Sequence, residues 1–261
     1  MPELPEAEIN RRRVEAHCLD RTIEAVVLGE NTEHVELPGG NERARLEGRQ
    51  FTETHRHGKL IFAGNRTGPW IAVHLGMTGS LRPYEADEGV PDYTKLILQF
   101  EGDRRLAFRN PRKLGWVRVI DSPEALVAEE GLGPDALSVS RETFREAVGG
   151  TRGAVKSALM AQKKLAGLGN LWSDEMLFHT GVAPGVHGAT LSREKLDALY
   201  DVMHEILDTV VGTETDYSKL PDHWLNPHRK TGATCPRCGD TIRKEKVGGR
   251  TAYFCSGHQE G

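Results

Sequence analysis

The chain has 261 residues, of which 38 % are hydrophobic and 28 % charged, with a formal net charge of −4. That is the make-up of a soluble globular protein with one large or two modest domains. No run approaches the roughly 18 apolar residues of a membrane span and the start does not read as a signal peptide, so a cytoplasmic protein without a membrane partner is expected.

In chain order, EAEINRRRVEAHCL (6–19) reads as an amphipathic helix with Ile9 and Val14 on its inner side. Short alternating runs follow: TIEAVVL, QFTETHRH, KLIFAG, PWIAVHL, KLILQFEG, RRLAFR and GWVRVI, punctuated by Gly, Pro and Asn. This pattern predicts an antiparallel β sandwich or barrel. The composition shifts around 122–139, the expected linker. Helical periodicity then takes over, with an N-cap at Ser140 and segments VKSALMAQ and NLWSDEMLF. It is clearest where Leu196, Leu199, Met203, Ile206 and Val210 recur at steps of three and four. The stretch 212–233 reads as an unusually long loop, functional or mobile.

Charge is unevenly spread. RRLAFRNPRKLGWVR (104–118) holds six basic residues and no acidic one, and 225–261 holds seven Lys/Arg against three Asp/Glu. An acidic chain with two basic segments can focus a polyanion on one face; surface strands in water are the alternative reading.

The four cysteines suit no disulfide framework, and three lie between 235 and 255. Cys235-x-x-Cys238 and, sixteen residues later, Cys255-x-x-His258 form two ligand pairs around a β-hairpin, the signature of a tetrahedral structural zinc site with no open position. Within the hairpin VGGRTAYF puts Arg250 beside two glycines near a turn, a planar fork suited to phosphate. Gly167-Leu168-Gly169-Asn170 opens a helix, a candidate anion seat, with Arg152, Lys156, Lys163 and Lys164 near in sequence. His55 and His57 share a strand face without a third ligand at an obvious spacing, Cys18 reads as core, and Trp172 and Trp224 are candidates for core or base stacking.

MPELPE at the start, RHGKLIF (56–62), HLGMTGSL (74–81), NPRKLG (110–115), AGLGNLWSDE (166–175) and the zinc hairpin occur in that order. Together they resemble the formamidopyrimidine-DNA glycosylase / endonuclease VIII family of base-excision repair, with PELPE closer to the formamidopyrimidine branch. The resemblance implies an α+β fold. It comprises an N-terminal β-sandwich domain with a terminal helix (1–121), the linker 122–139, a helix-two-turn-helix domain (140–233) whose loop 212–233 faces the lesion, and a zinc-ribbon hairpin (234–261). It implies a bifunctional DNA glycosylase and AP lyase removing oxidised purines from duplex DNA. The partner is damaged double-stranded DNA, the only cofactor one structural zinc, and the protein a monomer of the bacterial cytoplasm and nucleoid.

By the same resemblance Pro2, made N-terminal by loss of Met1, is the nucleophile and Glu3 protonates the sugar ring oxygen, with Glu6 in support. An α-amine titrates near roughly 7.7–8.0, against about 10.4 for lysine, so a neutral fraction exists at physiological pH. Lys59 and Arg250 carry over to elimination and to gripping phosphates near the lesion. Met77, Arg112 and Leu114 carry over to filling the space of the extruded base, and Gly169 and Asn170, with Arg152 and Lys156, to holding the backbone. Cys235, Cys238, Cys255 and His258 carry over as zinc ligands. The sequence departs from the family pattern at Leu114, often phenylalanine, at His258, usually cysteine, and at Tyr93, where many relatives carry a DNA-contacting histidine. Alternatives are the same chemistry on oxidised pyrimidines or bulky adducts, and a non-catalytic zinc-ribbon damage-binding protein.

Overall fold

The computed structural model describes residues 2–260. The chain forms two compact units, Met1–Gly131 and Leu132–Gly261.

The first unit begins with helix α1, Leu4–Cys18, which starts two residues earlier than its periodicity predicts because Glu6 secures the first turn. The Glu3 main-chain N–H donates to Glu6 Oε2 at 2.7 Å, satisfying a donor that a helix start leaves without a partner. Ile9 and Val14 are buried, as is Cys18, whose thiol burial pushes up to about 12. Strands β1 (Ile23–Leu28), β2 (Glu53–His57), β3 (Leu60–Gly64), β4 (Trp70–His74), β5 (Ser80–Glu85), β6 (Thr94–Phe100), β7 (Arg104–Arg109) and β8 (Trp116–Ile120) follow, with helix α2 (Gly40–Leu46) between β1 and β2. They make two four-stranded antiparallel sheets, ordered β1-β6-β7-β5 and β2-β3-β4-β8. The predicted sandwich is therefore present. Ile61, Val73 and Val117 from one sheet join Leu98, Phe100 and Phe108 from the other in one core with Val14 and Cys18. Helix α1 packs on β2, β3 and β5.

The stretch 122–139 carries helix α3, Pro123–Glu129, capped by Ser122. In the second unit α4 (Arg141–Gly149) starts at Ser140, whose side chain accepts from Thr143 N. Next come α5 (Val155–Met160), α6 (Asn170–Thr180) and α7 (Arg193–Gly212). Leu196, Leu199, Met203, Ile206 and Val210 are all buried on α7, the face the sequence marks. Strands β9 (Ile242–Val247) and β10 (Arg250–Cys255) form the C-terminal hairpin.

Candidate nucleic-acid interface and metal centre

In the first unit a chain of side-chain and backbone contacts joins the predicted residues. Pro2 is half-buried and Glu3 is 1 % exposed at the start of α1. One turn on, Glu8 reaches across to β2, where its Oε2 accepts from Arg56 Nε at 3.2 Å. Arg56 Nη1 also donates to the carbonyl of Gly58 at 3.1 Å. Gly58 has φ 57 and makes the turn that presents Lys59. Arg56 thus straps the Lys59 turn to the helix that carries Glu3.

Leu60 lies opposite His74 in the β3–β4 register. Burial, and then the nearby Lys59 charge, push His74 below the ordinary histidine range, with Glu130 opposing. The neutral ring stacks on Trp116, centroids 5.8 Å apart, and its Nδ1 accepts from Gly76 N at 3.3 Å. The turn that follows carries half-exposed Met77 and closes with Gly79 N donating to Leu75 O at 2.8 Å.

That turn meets the one bearing Arg112 and Leu114. Gly76 has φ +64, and a Cβ there would fall inside the Leu114 carbonyl and the Gly115 nitrogen. Arg112 is exposed, and Leu114 is 52 % exposed, an apolar side chain presented to solvent as a wedge requires. Asn110, fully buried, braces the turn by donating Nδ2 to Gly115 O at 3.0 Å. Its main-chain N–H donates to Tyr93 O at 3.0 Å, tying in exposed Tyr93. Arg56, His74 and Asn110 escape sequence reasoning because each works through a partner distant in sequence. The one signal is shared: each stands at the head of a quoted motif, RHGKLIF, HLGMTGSL and NPRKLG.

In the second unit Gly169 precedes α6 and Asn170 begins it, so the Gly-x-Gly turn opens a helix as the sequence predicts. Gln162 holds the Gly-Leu-Gly turn, accepting from Gly167 N at 3.0 Å and donating to Leu168 O at 2.7 Å. Arg152 is exposed.

Lys156 differs from expectation. Its side chain and that of Asp174 are both 0 % exposed and ion-paired, and its ammonium donates also to the Thr251 carbonyl at 3.1 Å. A buried, doubly engaged ammonium does not reach an external phosphate, so the expected DNA contact is corrected to an internal one. Trp172 and Trp224 are 0 % and 2 % exposed, so neither offers a stacking face; Trp224 packs edge-on against His179.

The stretch 212–233 contains 3₁₀ turns at Tyr217–Lys219 and Asn226–His228. It is pinned to α6: Glu175 accepts from Leu225 N at 2.7 Å and Asn226 N at 2.8 Å, and Tyr217 meets Trp172 edge-on.

At the hairpin tip Gly248 and Gly249 have φ 55 and 78, a two-residue turn with both central residues left-handed, which only glycine adopts at little cost. Arg250 follows, exposed. At the other end, donor atoms of Cys235, Cys238, Cys255 and His258 all lie within 4.8 Å of one another. Cys238 Sγ and Cys255 Sγ are 3.4 Å apart, and Cys235 Sγ and His258 Nδ1 3.6 Å apart. Zn–S and Zn–N bonds in a tetrahedron imply edges of roughly 3.5–3.8 Å, so the four fit one structural zinc. His258 Nε2 lies 3.2 Å from the Phe178 carbonyl, and donating there leaves the Nδ1 lone pair for the metal. The Asp240 main-chain N–H holds the Cys238 thiol below its usual range, while burial pushes that of Cys255 up to about 12; a bound cation removes the proton from both. Among the described residues no other His, Cys, Asp and Glu group of three or more has metal-site geometry, so His55, which stacks on Trp70, and His57 form no second centre.

A β sandwich, a helix-two-turn-helix unit and a zinc ribbon on one chain define a class of DNA-repair protein. The formamidopyrimidine-DNA glycosylase N-terminal domain matches residues 1–117, the family's H2TH domain 131–221, and the zinc finger found in FPG and IleRS 232–256. The chain belongs to the formamidopyrimidine-DNA glycosylase family. Formamidopyrimidine-DNA glycosylases of Roseiflexus sp. and Syntrophotalea carbinolica are 32 % and 30 % identical, each alignment covering 98 % of both chains. Among solved structures, the Lactococcus lactis formamidopyrimidine-DNA glycosylase bound to DNA containing an AP site superposes with TM-score 0.87, at 26 % identity and full coverage of both chains. MutM in complex with DNA containing carbocyclic 8-oxo-G superposes with TM-score 0.86, at 26 % identity and full coverage of both.

Proposed function

We propose that the protein is a bifunctional DNA N-glycosylase and AP lyase that removes oxidised purines from duplex DNA. The observation that carries this reading is the pairing of Pro2 with buried Glu3 at the start of α1, in a unit that also strings together Lys59, Met77, Arg112 and Leu114. Purines are favoured because the similar structures include complexes with Fapy-dG and 8-oxo-G DNA.

Loss of Met1, which lies outside the described residues, frees the Pro2 nitrogen. That nitrogen bonds to C1′ of the damaged nucleotide. The C1′–base bond breaks and the base leaves with its electron pair and takes up a proton. Glu3 gives a proton to the sugar ring oxygen, which opens the ring. The adduct of a secondary amine is an iminium, which draws electrons from the neighbouring carbon. Loss of the C2′ proton expels the 3′ phosphate, and a second elimination expels the 5′ phosphate. Lys59 and Arg250 assist these departures by offsetting phosphate charge. Met77, Arg112 and Leu114 occupy the gap left in the duplex, and Gly169, Asn170 and Arg152 hold the backbone. Bound zinc keeps the hairpin rigid and takes part in no bond change.

The protein acts as a monomer on DNA in the bacterial cytoplasm. Borohydride reduction during reaction with an 8-oxoguanine duplex tests the mechanism. Wild type is expected to form a covalent adduct, Glu3→Gln a weaker one, and protein retaining Met1 none. Strand cutting by Met1-bearing protein overturns the nucleophile. Absence of any adduct across oxidised purines and pyrimidines overturns the enzyme reading.

A further inference from the structure

Four parts of the second unit converge on one buried carboxylate. Asp174, on the first turns of α6, is ion-paired through Oδ1 to the Lys156 ammonium of α5. Its Oδ2 accepts from Arg229 Nε at 3.1 Å and Nη2 at 2.7 Å, and from the Tyr253 main-chain N–H at 3.2 Å. Lys156 closes the group by donating to Thr251 O at 3.1 Å. The Arg229 guanidinium sits over the Tyr253 ring, 4.7 Å from its centroid, and Nη2 approaches the Asn170 carbonyl at 3.4 Å.

These contacts bracket the start of β10. Thr251 follows Arg250 directly, and Tyr253 lies two residues beyond. The hairpin tip has a separate stop: a Cβ on Gly248 would fall inside contact distance of Ser157 Oγ, the residue after Lys156 on α5. The zinc set lies at the opposite end of β10, at Cys255. Burying the Lys156 ammonium and the Asp174 carboxylate costs desolvation, which the further bonds from Arg229 and Tyr253 to the carboxylate and from Lys156 to Thr251 offset.

We propose that Asp174 is the positioning residue for Arg250: with Lys156 and Arg229 it bolts β10 to α5 and α6, fixing the Arg250 guanidinium and the Asn170 helix start in one frame. Zinc alone, at the far end of the strand, leaves the tip free to swing. This rests on the reading that Arg250 grips a DNA phosphate.

The experiment measures affinity against salt concentration for a duplex carrying a tetrahydrofuran abasic analogue, using zinc-loaded full-length protein. Each lost phosphate contact lowers the logarithmic salt slope by about one. Arg250→Ala is expected to lower it by that amount and to weaken binding about tenfold. Asp174→Asn is expected to lower the slope equally while keeping one zinc per chain. The double variant is expected to match Arg250→Ala, because the same contact cannot be lost twice. Arg229→Gln, at a partly exposed position and so safer for folding, is expected to produce the same slope change with a smaller loss of affinity.

An unchanged slope in Arg250→Ala overturns the phosphate reading, and the proposal with it. A normal slope drop in Arg250→Ala, with wild-type slopes in Asp174→Asn and Arg229→Gln, overturns the proposal alone. So do losses that add in the double variant.

Discussion

Asn10 on α1 accepts the main-chain N–H of Leu81 through Oδ1 at 2.6 Å, across seventy-one positions of sequence. Strand β5 is at the edge of its sheet, and this side chain completes the donor its ladder leaves open. The other end of the amide donates to Glu6 O at 2.7 Å, so one buried residue fixes the helix carrying Glu3 to the strand that follows Met77. Replacing Asn10 with Leu strands the Leu81 N–H and is expected to cost about 1–3 kcal/mol of stability in chemical denaturation. Asn10→Asp keeps the acceptor and is expected to lose less.

The contact of Gly76 with the Leu114–Gly115 backbone makes a second prediction. Gly76→Ala combines a left-handed φ with a Cβ placed inside neighbouring backbone. Neither side is a flexible side chain, so one of the two turns has to move. A loss of about 2 kcal/mol or more is expected in the unfolding of the first unit. Excision should fall more steeply than stability, because Met77 and Leu114 move relative to one another. An alanine variant with wild-type excision would show that the two turns act independently.

Acid sensitivity follows from His74. Burial and the Lys59 charge hold its folded pKa below the ordinary histidine value. The unfolded chain then binds the proton more readily, so stability falls as pH drops through about 6.5 and keeps falling toward the folded pKa. Above pH 7 both states are neutral and the effect vanishes. Urea denaturation at pH 7 and pH 5 should show a larger loss for wild type than for His74→Gln. Equal losses would assign the acid response to other groups.

The metal centre predicts a tolerant fourth position. His258→Cys exchanges an imidazole for a thiolate, which zinc also accepts, and is expected to keep one zinc per chain by elemental analysis. His258→Ala is expected to bind zinc weakly and to lose most affinity for abasic-analogue DNA. Chelation of the wild type should do the same, since the hairpin then lacks its fastening at Cys255.

Most strands were legible from alternation, and α7 from its apolar spacing. Strand β5 was not, because SLRPYE contains a proline. Its place at the sheet edge removes the objection: Pro83 is two residues beyond Leu81 and so faces the same way, outward, where β7 needs no donor. Helix α2 buries only Leu46 and has no amphipathic stripe to read.

At the site, the four candidate metal ligands could be named from the spacing of their own pairs, whereas Arg112 and Leu114 came only from the family resemblance; the structure leaves both exposed, and Arg250 with them. Lys156 could not be read correctly. A lysine on a helix near a Gly-x-Gly turn suggests a phosphate ligand, and only the fold brings Asp174 and Thr251 against it. One signal was present: Asp174 and Glu175 sit mid-helix between apolar Trp172 and the run Met176-Leu177-Phe178, and both prove to be buried tethers.

Cys18 is the single cysteine outside the ribbon, sealed in the sandwich core with its thiol pushed up to about 12. It is therefore silent toward alkylating and disulfide reagents at neutral pH. Colour developed with such a reagent is expected from the ribbon alone, and first from Cys238, its one exposed thiol, once the metal is stripped. The molecule carries its own optical gauge of metal loading, with no label to attach.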